Sequence, residues 1–247
     1  MIRWARIATL LAALAAVAVI VFDVDPARDL SLAGRALRAG DLDQALRLGS
    51  RALYLGSLDQ QGQYQARELR AQAALGLGNR GFALAELDRA LALRPDSGSG
   101  LLLRGRIKLA GGDAAGALQD MDRGLALLAP PGRPLTAGLA AALVQRGLAR
   151  LALGQMSAAG QDADLAVRLN PRLAQARYLR SRVLDAQGRP AQALQEIEAA
   201  FALMQKSPFS TLYLSPEGQE MTRWLVEMRR KNKVDLLRPA PRPPAGR

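Results

Sequence analysis

The sequence predicts an all-α protein: an α-solenoid of about five helical hairpins closed by a C-terminal capping helix. Three observations carry this. The apolar residues, 49% of the 247-residue chain, are chiefly Ala, Leu and Val, and aromatics make up only 4%. Few aromatic and β-branched runs disfavour a sheet, and alanine, leucine and arginine are strong helix formers. A glycine followed five residues later by an alanine recurs five times, and a serine-proline-glutamate helix start with an apolar stripe follows the last of them.

In chain order, residues 1–24 come first. Arg3 and Arg6 precede sixteen uncharged, almost wholly apolar residues from Ile7 to Phe22, and Asp23, Asp25 and Asp29 follow. A basic start, an apolar stretch and an acidic exit read as an export signal. The A-x-A match Ala16-Val17-Ala18 is followed by four more apolar residues, so cutting there leaves a greasy terminus, and Phe22 is too large for a cleavage position. Sixteen residues reach about 24 Å as a helix, short of a hydrocarbon core of roughly 30 Å. Trp4 at the interface and snorkelling arginines can make up the difference. The expectation is an uncleaved single-pass signal-anchor, with a cleaved signal or a buried core helix as alternatives. The charge bias around the segment keeps the amino end cytoplasmic and exports the rest. That places the protein in the inner (cytoplasmic) membrane with its repeats in the periplasm.

Residues 25–206 hold the array. The turn glycines are Gly40, Gly78, Gly112, Gly154 and Gly188, and the alanines five residues on are Ala45, Ala83, Ala117, Ala159 and Ala193. Small residues stand seven before each glycine (Ala33, Ala71, Gly105, Gly147, Ser181) and twelve after it (Ala52, Ala90, Gly124, Ala166, Ala200). Glycine ends a first helix in the left-handed conformation, and small residues let the returning helix cross closely.

Eight residues before the glycine, hairpins two to five carry Arg70, Arg104, Arg146 and Arg180. Eight and ten after it they carry Glu86/Asp88, Asp120/Asp122, Asp162/Asp164 and Glu196/Glu198. In an antiparallel hairpin the minus-eight and plus-eight positions lie at about the same height, so an ion pair within each hairpin is expected. The first hairpin has Leu32, Leu48 and Ser50 there instead. The acid pairs resemble the carboxylates of an enzyme or a metal site, but residues two apart point about 200° apart on a helix and do not converge.

Residues 207–233 are the capping segment. Ser215-Pro216-Glu217 starts a helix, and Met221, Trp224, Leu225 and Met228 form one apolar stripe suited to covering the exposed edge of the last hairpin. Residues 234–247, with four prolines, form a basic tail expected to be extended or disordered.

Several function classes lose their footing. No cysteine or histidine is present, which removes Cys/His zinc sites, haem attachment and histidine-based triads. The net charge is +12, from 34 basic and 22 acidic residues, but the last 25 residues supply half of it. No basic stripe interleaved with aromatics runs through the body, so nucleic acid is not expected as a partner. Neither a cofactor, a metal, a catalytic residue nor a small-molecule substrate is expected. A carboxylate-based enzyme is the weakest alternative, and a soluble periplasmic adaptor the closest one.

The turn glycines are spaced by 38, 34, 42 and 34 residues. With the small-residue pattern, this resembles the tetratricopeptide repeat family over roughly residues 25–204. The family's aromatics are largely missing, the first hairpin is the poorest match, and the four and eight extra residues are expected in loops over 56–63 and 130–136. The resemblance implies a concave groove, lined by the first helices, that grips protein partners: a peptide segment, a helix or a membrane-complex subunit. Its groove positions fall on Leu102, Arg106 and Leu109, on Val144, Leu148 and Leu151, and on Tyr178, Arg182 and Asp185. An apolar floor between two arginines suits an amphipathic or acidic-flanked segment. The plain alternative is solvated helix surface.

Overall fold

The computed structural model describes residues 25–130, 132, 136–205 and 216–233. The anchor segment from Ile7 to Phe22 and the tail from residue 234 lie outside them. The described residues form an all-α chain of eleven α-helices: α1 (Pro26–Ala39), α2 (Leu42–Leu55), α3 (Gln60–Gly76), α4 (Arg80–Leu93), α5 (Gly98–Ala110), α6 (Ala114–Leu128), α7 (Ala140–Ala152), α8 (Met156–Leu169), α9 (Ala174–Ala186), α10 (Pro190–Gln205) and α11 (Pro216–Lys231). Consecutive pairs make five hairpins, and α11 caps the last. The helices group into two compact units, divided after Ile107 within α5.

Each hairpin turns where the sequence puts a glycine. Gly40, Gly78, Gly112, Gly154 and Gly188 all have φ between 73° and 90°, a conformation that costs a side chain more than it costs glycine. In the first three hairpins the next residue starts the second helix. Asp41, Asn79 and Asp113 each accept a hydrogen bond from the backbone N–H three residues on. One dipeptide thus ends one helix and caps the next.

The small residues lie where the hairpins need them. Ala33, Ala45, Ala52, Ala71, Ala83, Ala90, Ala117, Ala159, Ala166, Ser181, Ala193 and Ala200 are fully buried. Gly147 shows why the stripe stays small: a Cβ there would lie 2.4 Å from Leu179 Cδ2, which α9 lays against α7.

The extra residues divide differently from the expectation. The loop expected over 130–136 lies partly outside the described residues, and a 3-10 turn, Ala137–Leu139, stands directly before α7. The four near residue 60 instead fall partly in a helix. α3 has 17 residues, against 13 in α5, α7 and α9, because Asp59 caps it early through the Gly62 N–H at 2.7 Å.

Within the second unit the capping helix buries its stripe as expected. Met221, Leu225 and Met228, with Trp224 partly covered, pack against Ala174, Tyr178, Ile197, Ala200 and Met204. Among the described residues no helix is long and apolar enough to cross a membrane.

Candidate functional site

Repeated ion pairs between the helices of a hairpin, an arginine ladder, account for most of the buried charge among the described residues. Arg70 meets Glu86 at 2.9 Å, Arg146 grips Asp162 through Nε at 3.1 Å and Nη2 at 2.6 Å, and Arg180 donates to Glu196. These are the expected pairs within hairpins. In the third hairpin Lys108 holds Asp120 at 2.8 Å.

The acids at plus ten have a different job. Each reaches the ladder arginine of the following hairpin: Asp88 to Arg104 at 2.8 Å, Asp122 to Arg146 at 3.0 Å, and Asp164 to Arg180 at 3.7 Å. The 200° between the two acids aims one into its own hairpin and the other out of it. Within each pair the two carboxylates are drawn to different cations, and among the described residues no group of acids is arranged to hold a metal.

The first hairpin has a pair of reversed polarity that the sequence pattern did not reveal. Asp29 on α1 is fully buried and accepts from Arg51 Nε on α2 at 2.6 Å. Where an acid would serve Arg70 stands Ser50, bonded to its own helix at Leu46 O. Arg70 donates instead to the Tyr54 hydroxyl at 3.0 Å and lies between the Tyr54 and Phe82 rings.

The nine residues marked by the resemblance occupy unequal surroundings. Leu102 is half-buried and Arg106 exposed in the first unit; Leu109 and Leu151 are half-buried in the second, and Val144 is buried. Leu148 packs on the cluster under the capping helix.

Tyr178, Arg182 and Asp185 are engaged by α11 itself. The Tyr178 hydroxyl donates to Glu220 at 2.6 Å, Arg182 meets Glu220 at 3.2 Å and stacks over Trp224, and Lys231 reaches Asp185 at 2.7 Å. Burial, reinforced by the Glu220 contact, pushes the Tyr178 phenol well above the usual tyrosine range, although Arg182 opposes this. Tyr178 is buried under the helix, and Arg182 and Asp185 keep only part of their surface open to a partner.

An open site lies in the first unit. A cleft of about 580 Å³ runs between α1 and α3, within the range of ligand pockets. Leu30, Leu58 and Leu69 give it apolar surface, and Ser31, Gln61, Gln65, Glu68 and Gln72 give it polar groups. Glu68 and Gln72 stand ten and six residues before Gly78, the same offsets that mark Leu102 and Arg106 before Gly112. Applied to the first two hairpins, the offsets of ten, six and three give Leu30, Gly34, Leu37, Glu68, Gln72 and Leu75, of which Leu30, Glu68 and Gln72 line the cleft, so part of the signal was present in the sequence. Burial pushes the Glu68 carboxyl above the usual range, while a hydrogen bond with Tyr64 and the charge of Arg94 pull it back. Arg94 is occupied at the rim, donating to Gln61 Oε1 at 2.6 Å and lying over the Tyr64 ring.

No family model and no curated protein matches the sequence. Solved structures do. MamA (residues 41 to the end) from Desulfovibrio magneticus RS-1 aligns at 21% identity over 75% of this chain and 98% of its own, with a TM-score of 0.60. TTC0263, a thermophilic tetratricopeptide protein from Thermus thermophilus, aligns at 20% over 82% and 98%, with a TM-score of 0.58. YrrB, described as a tetratricopeptide protein with an unusual peptide-binding site, aligns at 16% over 72% and 86%, with a TM-score of 0.55. What this chain shares with them is the tetratricopeptide fold.

Proposed function

We propose that the chain is a membrane-anchored protein-interaction scaffold. Its array grips a protein partner, a peptide segment or a subunit of a membrane complex, through the first helices of its hairpins. The observation that carries this reading is the cleft between α1 and α3. It is open, part apolar and part polar, and lies on first-helix positions, while the acids that could suggest catalysis are held in ion pairs. The peptide-binding site in the description of YrrB agrees with it, as does the likeness to part of a chain of the Cut9–Hcn1 hetero-tetramer, at 17% identity over 80% of this chain and 35% of that one, with a TM-score of 0.65.

Anchoring rests on sequence: Arg3 and Arg6 before the apolar run, acids after it. On this reading the chain crosses the inner membrane once through the run from Ile7 to Phe22, with the array in the periplasm. Cleavage after Ala18 would make it a soluble periplasmic adaptor instead.

Two measurements test the proposal in cells. A photo-crosslinker at Gln65, in the cleft, should capture a discrete protein partner, and one at exposed Arg80 at the start of α4 should not. A reporter active only outside the cytoplasm, fused after Arg247, should be active, and the purified protein should begin at or near Met1. Equal capture from both positions, or an inactive reporter, would refute the corresponding half.

A further inference from the structure

The cleft differs in charge from the rest of the molecule. The chain carries +12, yet no lysine or arginine lines the cleft, and its two ionisable groups are both carboxylates. Asp59 is spent on capping α3. Glu68 is the carboxylate left to face a ligand, half-buried on the first helix of the second hairpin.

Gln65 and Gln72 flank Glu68 at i−3 and i+4, on one face of α3. No hydrogen bond engages either carboxamide among the described residues, though each can donate and accept. Seven residues of helix span about 10 Å, which matches about three residues of extended chain. Leu30, Leu58 and Leu69 supply apolar surface beside this polar row.

We propose that the cleft receives an extended polypeptide segment of a partner protein carrying a lysine or arginine next to an apolar side chain. The cation meets Glu68, the apolar group settles among Leu30, Leu58 and Leu69, and Gln65 and Gln72 hold the segment's backbone amides. This rests on the scaffold reading above and names the chemistry of the partner. It is opposite in sign to the acidic-flanked segment that Arg106 and Arg182 suggest from sequence. Burial disfavours the charged Glu68, and a cation of the partner adds to the opposing charge that Arg94 already supplies from the rim.

The test is selection of random decapeptides displayed on phage against the full chain in detergent micelles. The best binder is then measured by fluorescence anisotropy on the wild type, Glu68→Gln, Gln65→Trp and a chain ending at Lys233. Gln65 is exposed, so a tryptophan there fills the cleft without entering the core, and circular dichroism confirms that each variant folds. The expected result is enrichment of peptides with Lys or Arg one or two residues from an apolar residue. Binding should weaken about tenfold in Glu68→Gln, the loss of one charge-assisted contact, and disappear in Gln65→Trp.

Acidic or uncharged binders that Gln65→Trp still blocks would overturn the cationic partner and leave the scaffold reading standing. Binders indifferent to Gln65→Trp would remove the cleft as the docking site. Binding that tightens more than tenfold when the tail is removed would make this chain's own basic tail the occupant, and the partner segment would be refuted.

Discussion

Arg229 on the capping helix holds Glu198 of the fifth hairpin, with Nη2 3.0 Å and Nε 3.2 Å from the same carboxylate oxygen. Glu198 stands at plus ten, where each earlier acid reaches the arginine of the following hairpin. The capping helix therefore supplies the arginine that a sixth hairpin would bring. Arg229→Ala should free one edge of α11 and cost about 1.5–3 kcal/mol, the range for a hydrogen bond to a charged group. Amide exchange should speed up across α11 while that of α7 and α8 stays unchanged. Uniform protection throughout would show that the apolar stripe alone seats the helix.

Asp162 is nearly fully buried and takes both Arg146 and Arg150, at 2.6 and 2.9 Å. Either arginine can cover for the other. Arg146→Ala should cost about 1.5–3 kcal/mol and Arg150→Ala less. The double variant should lose more than the sum, because the buried carboxylate is then left without a cation. Additive urea midpoints would refute the shared role.

At Gly147 the close approach of Leu179 leaves no room for a methyl group. Gly147→Ala should destabilise by about 1–3 kcal/mol through overpacking, although alanine is the better helix former. Combined with Leu179→Ala, it should cost less than the two separate losses together. Strict additivity in thermal melts would mean that the helices simply move apart.

Glu68 sets a pH signature. Its folded pKa is raised by burial, so its contribution to stability is fully present below the unfolded value of about 4.3. That contribution is lost as pH rises through the folded value. Glu68→Gln should therefore gain stability relative to wild type on going from pH 4 to pH 7. A melting difference that does not change between those two values would contradict the desolvation of this carboxyl.

The spacing of glycine and alanine made the hairpins legible, because backbone geometry and close packing each demand a residue type at a fixed offset. The ladder was half legible. The matched heights of Arg146 and Asp162 follow from an antiparallel pair, but the outward aim of Asp122 depends on where the next hairpin lies, which local pattern does not encode. The same holds for Tyr178, Arg182 and Asp185. Their offsets mark a groove face, yet a helix some forty residues later covers them. Asp29 and Arg51 escaped notice because a single pair of reversed sign has no repeat to reveal it.

The ladder also gives the array a direction. Arg146 and Arg180 each look backward to an acid, Asp122 and Asp164, and each of those acids looks forward. A hairpin added in the same sense meets opposite charge on both sides, and one added in reverse sets like against like. The repeated junction lets an internal hairpin be copied with its charges already matched, whereas α11, which pairs Arg229 with Glu198 and also grips Tyr178, Arg182 and Asp185, is fitted to the fifth hairpin alone.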